Sequence, residues 1–158
     1  MSPNPPLPIS PSSPLIALSI LDRLIHRKNH MSIDPNYVNY TFAMVIPAYN
    51  EERIISQTVQ SCLSQTRMPN RIFVVDDMST DRTPEIVRKF SETFPNVILV
   101  KNEIKRGKAG GINYMLNHIT EDIVMVVDAD TFLHEEYCEN VIRALRFYGA
   151  AAATGYVI

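Results

Sequence analysis

No stretch of this chain approaches the roughly 20 consecutive apolar residues that a membrane-spanning helix needs, so no segment is expected to cross a bilayer. There is also no long run of Lys and Arg, and no interleaving of aromatic with basic residues. With a formal net charge of −2, that argues against nucleic acid as the main partner. Cysteine is scarce. Cys62 and Cys138 are the only two, they fall in different predicted helices, and their separation fits no metal motif. Both are read as reduced, buried or half-buried, and not nucleophiles, which suits a cytoplasmic location. The start of the chain lacks the early basic region and the small-residue cleavage site of a secretory signal.

What is present divides at about residue 40. Residues 1–14 hold six of the eleven prolines together with several serines, so a disordered leader is expected there. Leu15 to Ile25 is apolar except for Ser19, Asp22 and Arg23, and His26, Arg27, Lys28 and His30 follow it. This short amphipathic segment reads as a helix docked on the domain or resting on a membrane surface. Met31 is a second candidate start. With 46% hydrophobic residues, the remainder, 41–158, has enough apolar material for one globular core.

From Phe42 onward short β-rich runs alternate with helical ones. Strands are predicted over Phe42 to Ile46 (stopped by Pro47), Arg71 to Val75, Val97 to Val100, Ile123 to Val127 and Ala151 to Val157. Helices are predicted over Glu52 to Gln65, from Thr83 to about Thr93, Ala109 to Ile119 and Glu135 to Tyr148. For the second helix, Thr83 fits an N-cap and Pro84 the first helical position. This alternation predicts an α/β fold: a mostly parallel sheet with helices on both faces and right-handed crossovers. In such a sheet the segments after successive strands emerge at one edge, and that edge is where open α/β sheets bind ligands.

Four polar segments should therefore meet. Val126-Val127-Asp128-Ala129-Asp130 brings two carboxylates out of a buried strand, and residues i and i+2 of an extended chain point to the same side. Two such charges about 5 Å apart repel by roughly 3 kcal/mol at an effective dielectric of about 20. A divalent cation would reverse that, and hard oxygen ligands suit Mg²⁺ or Mn²⁺. A solvated turn and helix cap would show the same two residues. Tyr49 offers a ring for stacking on a nucleobase, and Glu51 an acceptor for a base or ribose. Asp76-Asp77 should place one carboxylate inward and the other toward the ligand edge. Gly107-Lys108 with Gly110-Gly111 makes a flexible entry to a helix, where a lysine can meet a diphosphate. His134 reads as a helix-start residue rather than a metal ligand. His26, His30 and His118 have no evident partner.

Taken in order, Val45-Ile46-Pro47-Ala48-Tyr49-Asn50-Glu51-Glu52, Val74-Val75-Asp76-Asp77-Met78-Ser79-Thr80-Asp81, Arg106-Gly107-Lys108-Ala109-Gly110-Gly111-Ile112-Asn113 and Val127-Asp128-Ala129-Asp130 strongly resemble the family 2 glycosyltransferases of GT-A fold. The Gly-Lys-Ala stretch is most similar to that of the membrane-associated polysaccharide synthases. The resemblance implies a Rossmann-like nucleotide-sugar-binding fold and transfer, with inversion, of a sugar from a UDP-sugar to an acceptor hydroxyl of a carbohydrate or lipid-linked molecule. By the same resemblance Tyr49, Glu51 and Asp77 would hold the base, Lys108 the nucleotide, Asp128 the ribose or diphosphate, and Asp130 the metal, Mn²⁺ or Mg²⁺. A location at the cytoplasmic face of a membrane would follow for a full-length form. The family's catalytic base is expected beyond residue 158, so the fold is expected to be truncated at its C-terminus.

Three rivals carry different expectations. A non-catalytic or truncated nucleotide-sugar-binding module would bind nucleotide without turnover. A nucleotidyltransferase-like enzyme would want a Gly-rich loop after the first strand, where this chain has Pro47-Ala48-Tyr49-Asn50. A phospho-receiver domain would put its acidic pair after the first strand, whereas here the pair follows the second.

Overall fold

A computed structural model describes residues 40–148. The expected leader, its amphipathic segment and the strand expected over Ala151 to Val157 lie outside the described residues. Within them the elements alternate as β1 (Phe42–Ala48), α1 (Ile55–Leu63), β2 (Arg71–Asp76), α2 (Thr83–Thr93), β3 (Val97–Lys101), α3 (Gly107–Leu116), β4 (Ile123–Val126) and α4 (Tyr137–Tyr148). The four strands form one sheet in the order β3-β2-β1-β4, and each neighbouring pair is parallel. Val45 is aligned with Phe73 of β2 on one side and Val126 of β4 on the other. No helix among the described residues is long and apolar enough to cross a membrane.

The central strands β1 and β2 alternate between two covered faces, which is why they read as continuous apolar runs, while the edge strands β3 and β4 are partly open. On one face Met44, Ile46, Ile72, Val74, Val97 and Met125 join Ile55, Val59 and Cys62 of α1, Val87 of α2 and Cys138 and Ile142 of α4 in a single buried cluster. On the other, Ala43, Val45 and Val75 lie with Ile112 and Met115 of α3, all buried. Close approach here needs Gly111, where an added Cβ would stand 3.3 Å from Val75 Cγ1. Burial pushes the thiols of Cys62 and Cys138 up to about 12, so both are inert packing groups as expected.

Several boundaries differ from the sequence-based expectation. Strand β1 runs through Pro47, which aligns with Val75. The missing N–H of Pro47 falls on the side of β1 that faces β4, past the last aligned pair, Val45 with Val126, so no ladder bond is lost. Thr83 is not the cap of α2. Its hydroxyl accepts the Glu51 N–H at 2.8 Å, the cap position falls to Arg82, and Asp81 just before it accepts the Thr83 N–H at 2.9 Å. Helix α3 starts two residues earlier than Ala109, at Gly107.

At the edge remote from the strand ends, the guanidinium of Arg71 forms an ion pair with Glu121, which is buried, and so ties the start of β2 to the segment before β4. Hydrogen bonds from Arg71 hold the Glu121 carboxyl below the usual glutamate range. A depressed folded-state value means stabilisation that is full above the unfolded value of about 4.3 and is lost as pH falls through the folded one. Glu121→Gln is expected to lower the unfolding free energy by about 1–2 kcal/mol at neutral pH. In urea titrations the gap between parent and variant should close as the pH drops below that of free glutamate.

Candidate functional site

Because all four strands are parallel, the loops after β1, β2, β3 and β4 leave the same edge of the sheet. The first two loops are bonded to each other. The Asn50 N–H donates to Ser79 Oγ at 2.9 Å, and the Thr80 N–H donates to Asn50 Oδ1 at 2.8 Å. The Glu52 N–H donates to Asp81 Oδ2 at 3.0 Å, and the Arg82 N–H to Glu52 Oε2 at 3.0 Å. Asn50 lies in the left-handed region at φ 56, a conformation asparagine tolerates. These bonds fix the backbone that presents Tyr49 and Glu51. The ring of Tyr49 is exposed.

Asp76 and Asp77 are both buried, so the expected division into an inward and an outward carboxylate is too simple. Asp76 Oδ1 accepts the Ser79 N–H at 3.3 Å. Asp77 reaches across to the start of α3. Its Oδ1 accepts Asn102 Nδ2 at 2.9 Å and the Arg106 N–H at 2.7 Å, while its Oδ2 accepts the Gly107 N–H at 2.8 Å. Burial alone would raise this carboxyl, but the three donors and the nearby Lys105 charge outweigh it and hold it below the ordinary aspartate range. A carboxylate offers about four acceptor positions, so about one remains open. Asn102 is itself buried, and its Oδ1 has no hydrogen-bond partner, alone in this among the buried side-chain atoms of the described residues.

The third loop is basic. Lys105 Nζ sits 3.7 Å from the centroid of the Tyr49 ring. Lys108, in the first turn of α3, pairs with Asp128 at 2.6 Å across a solvent-exposed gap. After β4 the chain alternates: Val127 and Ala129 are buried in the core, and Asp128 and Asp130 are exposed. The Ala129 carbonyl accepts the buried Thr58 hydroxyl at 2.6 Å, which anchors this turn to α1. Glu51 is raised above its usual value, first by burial and then by the charges of Asp130 and Asp81, which puts Glu51 within the field of Asp130. His134 is exposed, and its Nδ1 accepts the Glu136 N–H just before α4. Among the described residues no three or more acidic, histidine or cysteine side chains gather into a metal cage.

The family model for glycosyl transferase family 2 matches residues 43–158. The chain belongs to that family. It is 30% identical over 118 residues to the glycosyltransferase GlyA of Streptococcus pneumoniae, a match that takes in 75% of this chain and 17% of that protein. To the hyaluronan synthase of Streptococcus pyogenes it is 28% identical, over 75% of this chain and 30% of that one. It spans less than a third of the length of these curated relatives. Among solved structures, the mannosyltransferase PcManGT of Pyrobaculum calidifontis in complex with GDP-Man and Mn²⁺ superposes with a TM-score of 0.62 at 29% identity, covering 87% of this chain and 40% of that one. TarS 1-349 of S. aureus in complex with UDP-GlcNAc superposes with a TM-score of 0.59 at 27% identity, covering 69% of this chain and 32% of that one. The α/β architecture is that of the GT-A glycosyltransferases, and family 2 membership classes the chain with enzymes.

Sequence reasoning singled out the four strand-end loops that converge here but missed three side chains that join them. Lys105, Asn102 and Thr58 belong to no spacing pattern, and only the meeting of separate loops gives them partners. Asp77 was singled out for a ligand, yet about three of its four acceptor positions go to Asn102 and the first amides of α3. Asp77→Ala is therefore expected to cost about 2–3 kcal/mol of stability, because the buried Asn102 amide and the two part-buried N–H groups at the start of α3 lose a charged acceptor. Gly107→Ala, at φ +67 with open space around the added carbon, should cost only about 1 kcal/mol of backbone strain. Urea unfolding of the two variants checks both the sizes and the order.

Proposed function

We propose that this chain is the donor-binding part of a metal-dependent, inverting glycosyltransferase that takes its sugar from a UDP-sugar and passes it to an acceptor hydroxyl of a carbohydrate or lipid-linked molecule. The observation that carries the reading is the convergence of four strand-end loops, which bring Tyr49, Glu51, Asp77, Lys108, Asp128 and Asp130 to one edge of a parallel sheet. Neighbouring strands are about 4.8 Å apart, so four strand ends span roughly 15 Å, about the length of a nucleoside diphosphate carrying a sugar. The TarS complex with UDP-GlcNAc and the PcManGT complex with GDP-Man support a nucleotide-sugar ligand here.

In this reading Tyr49 stacks on the base, and Asp77 accepts a base N–H with its remaining lone pair. Glu51 accepts a hydrogen bond from base or ribose. Lys108 exchanges its exposed ion pair with Asp128 for the diphosphate, an exchange with little cost because such pairs are worth about 0–1 kcal/mol. Asp128 then meets the ribose or diphosphate.

The donor set fits a hard divalent cation. Asp130 is an exposed carboxylate whose field already raises Glu51, and Mg²⁺-type sites commonly take one or two protein carboxylates with the remaining oxygens from water and substrate phosphate. A bound Mn²⁺ or Mg²⁺ would supply positive charge against the leaving diphosphate. Glu51, Asp77, Asp128 and Asp130 are all assigned to donor or metal in this reading, so the proton of the acceptor hydroxyl passes to a base outside this set. We extend the proposal to a cytoplasmic location, which the two free, buried thiols suit, and for a full-length form to the cytoplasmic face of a membrane.

Two measurements test it. Asp130→Ala should remove most of the affinity for UDP that Mn²⁺ confers, read by calorimetry with and without the ion, and equal affinities for parent and variant in Mn²⁺ would refute the assignment. Tyr49→Ala should weaken UDP binding by about ten-fold or more, the 1–3 kcal/mol of one base stack.

A further inference from the structure

The chain between β4 and α4, residues 127–136, forms neither strand nor helix, so its backbone polar groups depend on partners in other elements. One side of α1 supplies several of them. Ser61 Oγ accepts the Leu133 N–H at 3.2 Å. Gln65, just past the end of α1 and itself buried, donates to the His134 carbonyl at 2.8 Å and accepts the Cys138 N–H at 3.0 Å. Thr58, one turn before Ser61, is fully buried and donates to the Ala129 carbonyl at 2.6 Å. A threonine inside a helix often turns its single hydroxyl proton back to the carbonyl four residues earlier. Here that carbonyl, of Ile54, is 3.5 Å away, so the proton goes to Ala129.

The Ala129 carbonyl shares a rigid peptide plane with the nitrogen of Asp130, so a bond that fixes the one fixes the Cα from which the Asp130 carboxylate extends. The Thr131 N–H closes the turn on the Asp128 carbonyl at 3.0 Å, and the side chain of Ala129 is buried, so the backbone between the two exposed carboxylates is held on its inner side. Resting on the reading of Asp130 as the metal ligand, we propose that Thr58 is a positioning residue for the divalent cation: its hydroxyl aims the Asp130 carboxylate through the Ala129 peptide. Being fully buried, Thr58 touches neither donor nor ion. A hard cation such as Mg²⁺ demands near-ideal geometry at about 2.0–2.1 Å, so a carboxylate on a loosened turn loses affinity with its charge unchanged. Tyr49 and Asp77 stand on other loops, so the part of nucleotide binding that needs no metal is left as it was.

The test is calorimetry of UDP with and without Mn²⁺ on the parent, Thr58→Val, Thr58→Ser and Glu121→Gln, with the melting temperature of each. Valine keeps the shape of threonine and removes the donor, whereas serine keeps the donor. Glu121→Gln loosens the opposite edge of the sheet and serves as a variant of lowered stability alone. The gain in UDP affinity that Mn²⁺ confers should fall about ten-fold or more in Thr58→Val, with metal-free affinity unchanged. It should return in Thr58→Ser and keep the parent value in Glu121→Gln. Should Thr58→Val not fold, Thr58→Ala takes its place with the same expected fall. A gain equal to the parent's in the donor-free variant would overturn the inference and leave Thr58 a packing residue, with the donor reading intact. A fall of similar size in Thr58→Ser or Glu121→Gln would overturn it in the same way. A parent that binds UDP equally with and without Mn²⁺ would overturn the metal reading and the inference together.

Discussion

The carboxylate of Asp77 joins three parts of the molecule that the chain order keeps apart. It leaves the end of β2, binds the side chain that follows β3, and receives the first backbone amides of α3. Helix starts carry unsatisfied N–H groups and a partial positive charge, so a buried carboxylate at that place is satisfied and the helix is fixed in register at once. Everything the β3–α3 loop presents, including Lys105 and Lys108, depends on that attachment. The group that organises the loop also keeps about one acceptor position open, so in the proposed reading base binding and loop position would act on the same atoms.

Parallel strands supply the second constraint. They force four loops to one edge, and the charges there are of both signs: Glu51, Asp128 and Asp130 on one side, Lys105 and Lys108 on the other. Glu51 shows the cost, raised by burial and by its acidic neighbours. Lys108 and Asp128 show the relief, pairing with each other in the unliganded molecule. A diphosphate with a divalent cation brings matched charges of both kinds, so it can replace these internal compromises without leaving either sign unpaired.

Much of the fold was legible because it rests on local patterns. Apolar β-rich runs marked β1 to β4, and the spacing of Ile54, Ile55, Val59, Cys62 and Leu63 marked α1, where all but Ile54 are buried. The Asp128-Ala129-Asp130 turn was legible too, since alternate residues of an extended chain take opposite sides, and Ala129 is buried between two exposed carboxylates. What failed depends on contacts between distant residues. Helix α3 begins at Gly107 because Asp77, 30 positions earlier, receives its amide. Thr83 looked like a cap, but its hydroxyl serves Glu51, 32 positions away. Pro47 looked like a strand stop, and only the shorter reach of β4 makes it harmless. No periodicity encodes such pairings.

The central claim is that four separate strand-end loops act as one donor site. It is tested most directly by titrating UDP and Mg²⁺ into isotope-labelled protein and following the backbone amides by NMR. The account predicts that the perturbed amides fall in four groups, around Tyr49 to Glu51, Asp77, Lys105 to Lys108 and Asp128 to Asp130, while those of Thr41, Arg71 and Glu121 at the opposite edge stay still. Perturbations confined to one loop, or centred on that opposite edge, would contradict it.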